Sequence, residues 1–557
     1  MSITTQLHEA QVLVVGAGPV GLTLAIDLAQ RGVDVLLLEQ RRDAEPPSAK
    51  CNHVSARSME IFRRLGFARA VRDAGLPADH PHDVAYRTTF TGIELSRIRI
   101  ASRGERGTPR DDGADSHWPT PEPPHRVNQI YLEPVLRAQA RATRGLRLLD
   151  GVRIDRVTQD AHGTSAHGVQ LADQQPLHLR GAFLVGCDGA RSQVRRAIGA
   201  NFTGTGELGR VQSTFFQAPT LRGLAQHPPA WATFSLNPRR SGNVYAIDGR
   251  ETWLLHNYLR VDEHDFDAVD RDASIRTILG VGPDFRYRVI AKEDWIARRL
   301  VADRFRDRRI FICGDAAHVW VPMAGYGMNA GIADAANLAW LLAAHVAGWA
   351  PESVLAAYET ERRPITEQVS RFAMDHALAL QRQREQVPTD LEAPGPRGDA
   401  ARAAAGRALF ELNVRQYCAG GLNFGSFYDA SPLVAYDGES APAYTMDAFT
   451  PSSVPGCRTP HLWLDDGRSL YDALGPDYTL LRFDPRVPIA PMEAAAQRRG
   501  VPLRVLDVAS REAAALYRHA LVLSRPDQHV AWRGDRVPDD PLALVDRVRG
   551  ALAPDNS

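Results

Sequence analysis

The sequence is almost devoid of lysine. Of its 66 basic residues only Lys50 and Lys292 are not arginine, so a mechanism built on a Schiff base or a proton-transferring amine is confined to two positions. Cysteine is scarce too: Cys51, Cys187, Cys313, Cys418 and Cys457 are odd in number and show no CxxC or metal-type spacing. That excludes a disulfide-stapled module or a zinc ribbon and fits a reducing cytoplasm. Net charge is absent, with 66 basic against 66 acidic residues, so there is no global basic field for a polyanion and no nucleic-acid partner is expected. No apolar run approaches the roughly 18 residues of a membrane span, and Met1 to Gln11 holds no signal-type apolar core. The expectation is a cytoplasmic protein without a membrane partner. No fixed-period repeat is present either, which excludes a solenoid or propeller.

The length of 557 residues allows about three or four domains. Gly104 to Arg126, Glu385 to Gly406 and Gly438 to Pro460 are rich in Pro, Gly, Ser or charge and read as loops or boundaries. Ser213 to Phe216, Trp231 to Leu236, Val244 to Ile247 and Thr252 to Leu259 are short, aromatic and β-branched, as in an antiparallel sheet inserted into an α/β framework. After residue 460, Tyr478 to Phe483, Val501 to Val508, Ala520 to Leu523 and Gln528 to Trp532 alternate with helix patterns in a small α/β domain.

Near the N-terminus the apolar run Val12 to Val15 enters Gly16-Ala17-Gly18-Pro19-Val20-Gly21, a GxGxxG between strand and helix. Leu22, Ala25, Ile26 and Ala29 follow at helical spacing, and Val33 to Leu38 forms a second strand ending at Glu39 and Gln40. Gly16 serves the tight turn, Gly18 the approach of a pyrophosphate, and Gly21 close helix packing, while the helix N-terminus faces the negative charge. Glu39 can accept from a ribose 2′-hydroxyl and would repel a 2′-phosphate, which indicates FAD or NAD.

Two further strand-to-turn segments repeat this logic: Phe183 to Ser192, containing Cys187-Asp188-Gly189, and Ile310 to His318, containing Cys313-Gly314-Asp315. The second continues through Pro322, Gly325, Gly327, Met328 and Asn329 into a helix from about Gly331 to His345. In this order and spacing the three segments resemble the GxGxxG, DG and GD fingerprints of the class A flavoprotein monooxygenases, the aromatic hydroxylases of the p-hydroxybenzoate and phenol hydroxylase type. The resemblance covers residues 11 to about 365, and residues 460 to 533 resemble the thioredoxin-like C-terminal domain of the phenol and polyketide hydroxylase branches.

What the resemblance implies is specific. FAD is held by Gly16, Gly18, Pro19, Gly21, Glu39 and Gln40, by Asp315 at the ribityl chain, by Asp188, and by the loop Gly314, Pro322, Gly325, Gly327, Met328 and Asn329. Backbone at Pro322, Gly325 and Gly327 can lie against a flat ring, and a helix opening near Asn329 would favour negative charge on the flavin. Arg57 is expected at the flavin phosphates, and Arg126 and Gln129 match a family Arg/Gln pair beside FAD, with Gln129 the preferred contact. His318 is expected to act through its neighbours, and Cys187 and Cys313 to be core residues.

The implied reaction uses NAD(P)H and dioxygen to hydroxylate a small aromatic substrate. Where the phenol hydroxylase type places an acid near the substrate this chain has Asn52, so His53 is the candidate base, and Tyr245 the candidate contact among Tyr245, His256 and Tyr258. No metal is expected, and a homodimer is compatible with the sequence. A flavin-dependent halogenase, another FAD oxidoreductase or a non-catalytic flavoprotein are the alternatives; the WxWxIP segment of a halogenase is missing. The expected architecture is an α/β chain in three units. Residues 1–85, 120–200 and 300–385 form a Rossmann-like FAD-binding domain, 86–119 and 201–299 an inserted antiparallel substrate sheet, and 430–557 a thioredoxin-like C-terminal domain.

Overall fold

The computed structural model describes residues 6–43, 45–322 and 325–552. Its first layer grows from the strand Gln6–Val15, whose residues Val12 to Val15 are buried as the uniformly apolar run requires for a strand covered on both faces. This strand pairs in parallel with Val35–Glu39 on one side and Pro176–Gly186 on the other. Leu146–Asp150 and Ile310–Ile312 extend the parallel sheet outward, and Val152–Gln159 with Thr164–Gln170 form an antiparallel flap joined to Pro176–Gly186. The helices Pro19–Gln30 and Tyr326–Val346 meet at Gly331, where a Cβ would stand 2.6 Å from Val20 Cγ2. Only a glycine lets them close so tightly.

The second layer is a nine-stranded sheet. Along its main path it runs His318–Trp320, Trp295–Ala302, Phe202–Gln217, Thr252–Tyr258, Gly242–Ala246, Ala232–Ser235, Val84–Arg87, Glu94–Ile98. It is antiparallel apart from the parallel pair Ala232–Ser235 with Val84–Arg87. The strand expected at Ser213 to Phe216 is the end of a 16-residue strand.

One expectation is corrected. The stretch Glu385 to Gly406 is not simply a loop: a 23-residue helix, Gly395–Tyr417, begins inside it. Pro394 at the N-cap and the alanines at 400, 401 and 403 to 405 start a good helix that the flanking Pro and Gly had disguised. Gly406 presses this helix onto Glu94–Ile98, since a Cβ there would lie 2.2 Å from the Leu95 carbonyl oxygen. The helix thereby delivers Tyr417 to the second sheet, where it meets Trp231 and Phe234 edge-on.

The C-terminal unit has a four-stranded sheet in the order Leu503–Asp507, Tyr478–Arg482, Leu521–Ser524, Val530–Gly534. The first pair is parallel and the others antiparallel, with helices Ala490–Arg499 and Pro541–Val548, the thioredoxin-like pattern. A buried charge network fastens it to the first layer. The fully buried Arg525 donates to Glu361 at 2.7 and 2.8 Å and to Asp527 at 2.9 and 3.0 Å, and Asn337 in the helix Tyr326–Val346 donates to Glu361 at 2.7 Å. Burial pushes the Asp527 carboxyl up, but Arg525 and then His529 hold it well below the carboxylate range.

Arg525→Ala therefore strands two buried carboxylates and is expected to cost about 3–5 kcal/mol, read as a lowered denaturant midpoint. Because native Asp527 has a depressed pKa, its contribution is complete above the unfolded value of about 3.9 and disappears as pH falls below it. The gap between wild type and Arg525→Ala should accordingly shrink on acidification below pH ~4. A gap that is constant with pH would contradict this assignment.

Candidate active site

Three strand ends finish level with one another. Gly16 N donates to Leu38 O at 2.7 Å, Cys187 N to Val15 O at 2.7 Å, and Cys313 N to Gly186 O at 2.9 Å. At this carboxyl edge the motif glycines divide into two kinds. Gly16 has φ +103°, and a Cβ on it would stand 2.3 Å from Cys187 O; a Cβ on Gly21 would stand 1.9 Å from Gly16 O. Both are required by the fold. Gly18 has an ordinary φ of −74°, and its Cβ would meet nothing within 4 Å, so it faces open space. The helix behind it starts at Pro19 with no side-chain cap, leaving the amides of its first turn available to an anion.

Glu39, 7% exposed, accepts from Ala17 N through Oε2 and from Arg41 N through Oε1, both at 2.8 Å. It thus fastens the glycine turn and retains lone pairs for a hydroxyl. Gln40 follows it, exposed. Gln129 opens the helix Gln129–Ala142, its N–H bonded to Cys51 O at 2.8 Å and its side chain to Glu133 at 3.2 Å.

Asp188 caps the short helix Gln193–Ala197, Oδ2 accepting from Gln193 N at 2.7 Å and Val194 N at 3.1 Å, while Oδ1 is buried without a partner. Asp315 is solvent-accessible, and desolvation raises its pKa against the lowering charges of His318 and Lys50. Behind it His318 Nε2 meets Asp334 Oδ2 at 2.6 Å, and Asp334 Oδ1 accepts from Arg362 at 2.8 Å. Asp334 Oδ2 also accepts from Gly314 N at 3.4 Å, so the trio supports the turn at Gly314, φ +61°. Cys187 and Cys313 pack with the core. Arg195 was not singled out by sequence, and Lys50 stood out only as one of the two lysines. Arg195 Nη1 ties the two aspartate turns together through Ala190 O and Ala316 O at 3.1 and 3.3 Å, a tertiary contact with no sequence signal.

The loop helix starts at Tyr326, five residues before the expected Gly331, from Gly325 at φ +65°. Pro322 is exposed, Met328 packs partly into the core, and a Cβ on Gly327 would touch only Trp320 Nε1 at 3.9 Å. Two assignments change. The Asn329 side chain accepts from Ser55 N and Ser58 Oγ at 2.8 and 2.7 Å and donates to His53 O and Gly325 O at 3.1 and 2.6 Å. Its amide is spent on holding the segment 53–58, which leaves its backbone as the part free to serve a ligand. Arg57 points to the C-terminal unit, donating to Glu60 at 2.9 Å, Gln528 Oε1 at 2.5 Å and Asp527 O at 2.6 Å, so its guanidinium is committed away from a phosphate.

The remaining candidates gather at the second sheet. An antiparallel bridge between Val54 and His125 sets His53 beside Arg126, whose Nη1 donates to His53 Nδ1. An arginine only donates, so His53 is the neutral Nε2–H tautomer with its free lone pair taken. Burial, then Arg126, lowers its pKa far below 6.5. His53 is therefore not placed as a base; it positions Arg126. Asn52 is equally committed, accepting from Asn128. Arg126 lies over the Trp231 ring at 4.5 Å and 5.8 Å from the Tyr417 ring. Tyr245 packs against Trp231 at 5.1 Å and His256 at 5.6 Å, and His256 against Trp295 at 5.8 Å. Tyr258 instead stacks under Arg384 at 4.2 Å. Among the described residues no cluster of His, Cys, Asp or Glu could hold a metal, and no helix is long and apolar enough to cross a membrane.

An open glycine beside an uncapped helix, an acidic ribose acceptor, an exposed aspartate with a lysine nearby, and a glycine-lined loop fit FAD laid along the carboxyl edge. Together these features define a flavoprotein oxidoreductase. The family models agree: "FAD binding domain" matches residues 9–373 and "Aromatic-ring hydroxylase, C-terminal" residues 452–553. Tetracenomycin B2 monooxygenase-dioxygenase of Streptomyces olivaceus is 32% identical over 97% of this chain and 98% of its own. Phenol 2-monooxygenase of Pseudomonas sp. (strain EST1001) is 28% identical over 99% and 94%. The rebeccamycin biosynthetic enzyme RebC, solved with reduced flavin, superposes with a TM-score of 0.87 at 36% identity, covering 98% of this chain and 100% of that one. The chain belongs to the FAD-binding aromatic-ring hydroxylase family and is an FAD-dependent monooxygenase.

The two kinds of glycine predict a separation. Gly18→Ala should preserve the melting temperature of the apoprotein yet weaken FAD binding by about tenfold or more, the worth of one charge-assisted contact. Gly16→Ala should damage the fold itself. Equal effects of both on apoprotein stability would contradict the division.

Proposed function

We propose that the chain transfers one oxygen atom of dioxygen to a phenolic or similarly electron-rich aromatic ring, with NAD(P)H as electron donor. The observation that carries this reading is the aromatic cluster in which Trp231 and Tyr417 lie against Arg126 and Tyr245, His256 and Trp295 continue from Trp231, joined through His53 to the opening of the loop helix. FAD, when bound, supplies acceptance of the nicotinamide hydride and activation of dioxygen.

The chain's own residues supply placement. The loop helix opens at Gly325 without a side-chain cap, so its positive end favours negative charge on a group bound at the loop. Flat side chains hold a ring by stacking and exclude water. Tyr245 stays protonated because burial, then Tyr417, raises its phenol well above pKa 10; it is a hydrogen-bond donor to a ring oxygen rather than a base. His256, lowered to about 4 by burial, is neutral as well. Neither histidine of the recess carries charge at neutral pH, so ring deprotonation is driven by the fixed guanidinium and by solvent, not by an imidazole.

Turnover under isotopically labelled dioxygen tests the reading. The expected product carries one labelled oxygen atom per NAD(P)H consumed. Nicotinamide oxidation that gives only labelled peroxide with every phenol tried would overturn it. Tyr245→Phe should lower kcat/KM for the ring substrate about tenfold by removing one hydrogen bond while flavin content is unchanged.

A further inference from the structure

Gln528 holds a backbone conformation that its residue type does not favour. Its φ is +62° in the turn between Leu521–Ser524 and Val530–Gly534, where glycine or asparagine is the ordinary choice. The turn does not need glutamine, because backbone bonds fix it: Gln528 N to Arg525 O and Thr459 N to Gln528 O, both 2.9 Å. An outlier of this kind persists where the side chain has a task. Gln528 is 4% exposed, and its Oε1 accepts from Arg57 Nη1 at 2.5 Å while the Asp527 carbonyl accepts from Arg57 Nη2 at 2.6 Å. Arg57 belongs to the helix Ala56–Arg64, whose start is tied to the loop helix: the N–H of Ser55 and the hydroxyl of Ser58 both end on Asn329 Oδ1. The same turn also reaches the loop helix directly, where Asn337 Nδ2 donates to Asp527 Oδ2 at 3.3 Å. Asn329 and Asn337 are about 12 Å apart along the helix axis. Between them Ala333 and Ala336 line a cavity of about 30 Å³ shared with Arg57, Asp527 and His529. The turn therefore grips the loop helix through hydrogen bonds at two points rather than through apolar packing.

We propose that the C-terminal unit positions the flavin loop, and that Gln528, acting through Arg57, Ser58 and Asn329, is the residue that sets the opening of the loop helix. Asn329 also donates to Gly325 O, so a shift of the helix Ala56–Arg64 is delivered to the turn from which the loop helix starts. Every link is a helix or a hydrogen bond between buried groups, which makes the line stiff enough to carry a displacement. With Cys457 as its one cysteine the unit has no dithiol chemistry of its own, and a positioning role gives its buried turn a use. The proposal rests on the flavin lying against the loop helix and needs no particular ring substrate.

A double-mutant cycle on the FAD-loaded enzyme tests this with two readouts: the FAD dissociation constant, from flavin fluorescence on serial dilution, and the visible circular dichroism of bound flavin. Gln528→Gly suits the left-handed turn and keeps its backbone bonds. It should weaken FAD binding about threefold to thirtyfold, the range of a coupling carried through packed elements, and alter the dichroism. Gln528→Asn tolerates the turn as well but falls one methylene short of Arg57, and should do the same. Asn329→Ala should have its own effect, and adding Gln528→Gly to it should change neither readout further, because the line is already cut. If Asn329→Ala does not fold, Ser58→Ala takes its place in the cycle. Wild-type affinity and dichroism in both Gln528 variants overturn the proposal. Additive effects in the double variant overturn it too, since they mark Gln528 as a general stabiliser. Wild-type flavin readouts in Asn329→Ala would overturn it together with the placement of the flavin at the loop, whereas silence of the Gln528 variants alone leaves that placement standing.

Discussion

The collision-limited approach of backbone to backbone at the carboxyl edge of the parallel sheet is the constraint on which the rest is built. A Cβ at Gly21 would lie 1.9 Å from the Gly16 carbonyl oxygen, one at Gly16 would lie 2.3 Å from that of Cys187, and one at Gly331 would lie 3.0 Å from Gly314 Cα. These contacts lock the first helix, the Asp188 turn and the loop helix into one edge, with helix amides and aspartates converging where no side chain intrudes. Packing at this density transmits displacement, so the cofactor surface is set by the core rather than by flexible loops.

A second device couples this edge to the substrate sheet. The bridge Val54 to His125 joins two irregular segments, and through it Asn329, His53 and Arg126 form one hydrogen-bonded line from the loop helix to the aromatic recess. The line depends on a histidine kept neutral by burial and by the arginine beside it. A charged imidazole there would confront a guanidinium across a single hydrogen bond. Specificity for the neutral tautomer is thus built from the same desolvation that makes the guanidinium an unsatisfied cation.

The parts legible in the sequence were those governed by local rules. Val12 to Gly21, Glu39, Asp188 and Gly314-Asp315 could be read because strand, turn and helix lie in consecutive residues, and the apolar run before each turn fixes its place in the sheet. The C-terminal strand pattern was readable for the same reason. Of the aromatic cluster only Tyr245 and His256 were legible, alongside Tyr258, which stacks under Arg384 instead, because Trp231, Trp295 and Tyr417 come from distant segments. Arg126, Trp231 and Tyr417 meet only once the helix Gly395–Tyr417 is seated by Gly406 on a strand of the second sheet. That helix was hidden by the Pro and Gly residues around its start. Arg57 and Asn329 have the right types for cofactor contact, but tertiary partners at Gln528 and at Ser55 and Ser58 claim their side chains. His53 looked like a base because nothing in the chain near it announces Arg126 as its donor.

Asn329, His53 and Arg126 join the glycine edge to the aromatic cluster, so a ligand seated at the cluster should be felt by the bound flavin. The most direct measurement is the anaerobic rate of reduction of bound FAD by NADPH and by NADH, with and without a phenolic ligand, followed in a rapid-mixing spectrophotometer. A ligand seated at the aromatic cluster is expected to make that reduction markedly faster. A rate unaffected by every ligand shown by dialysis to bind would contradict it.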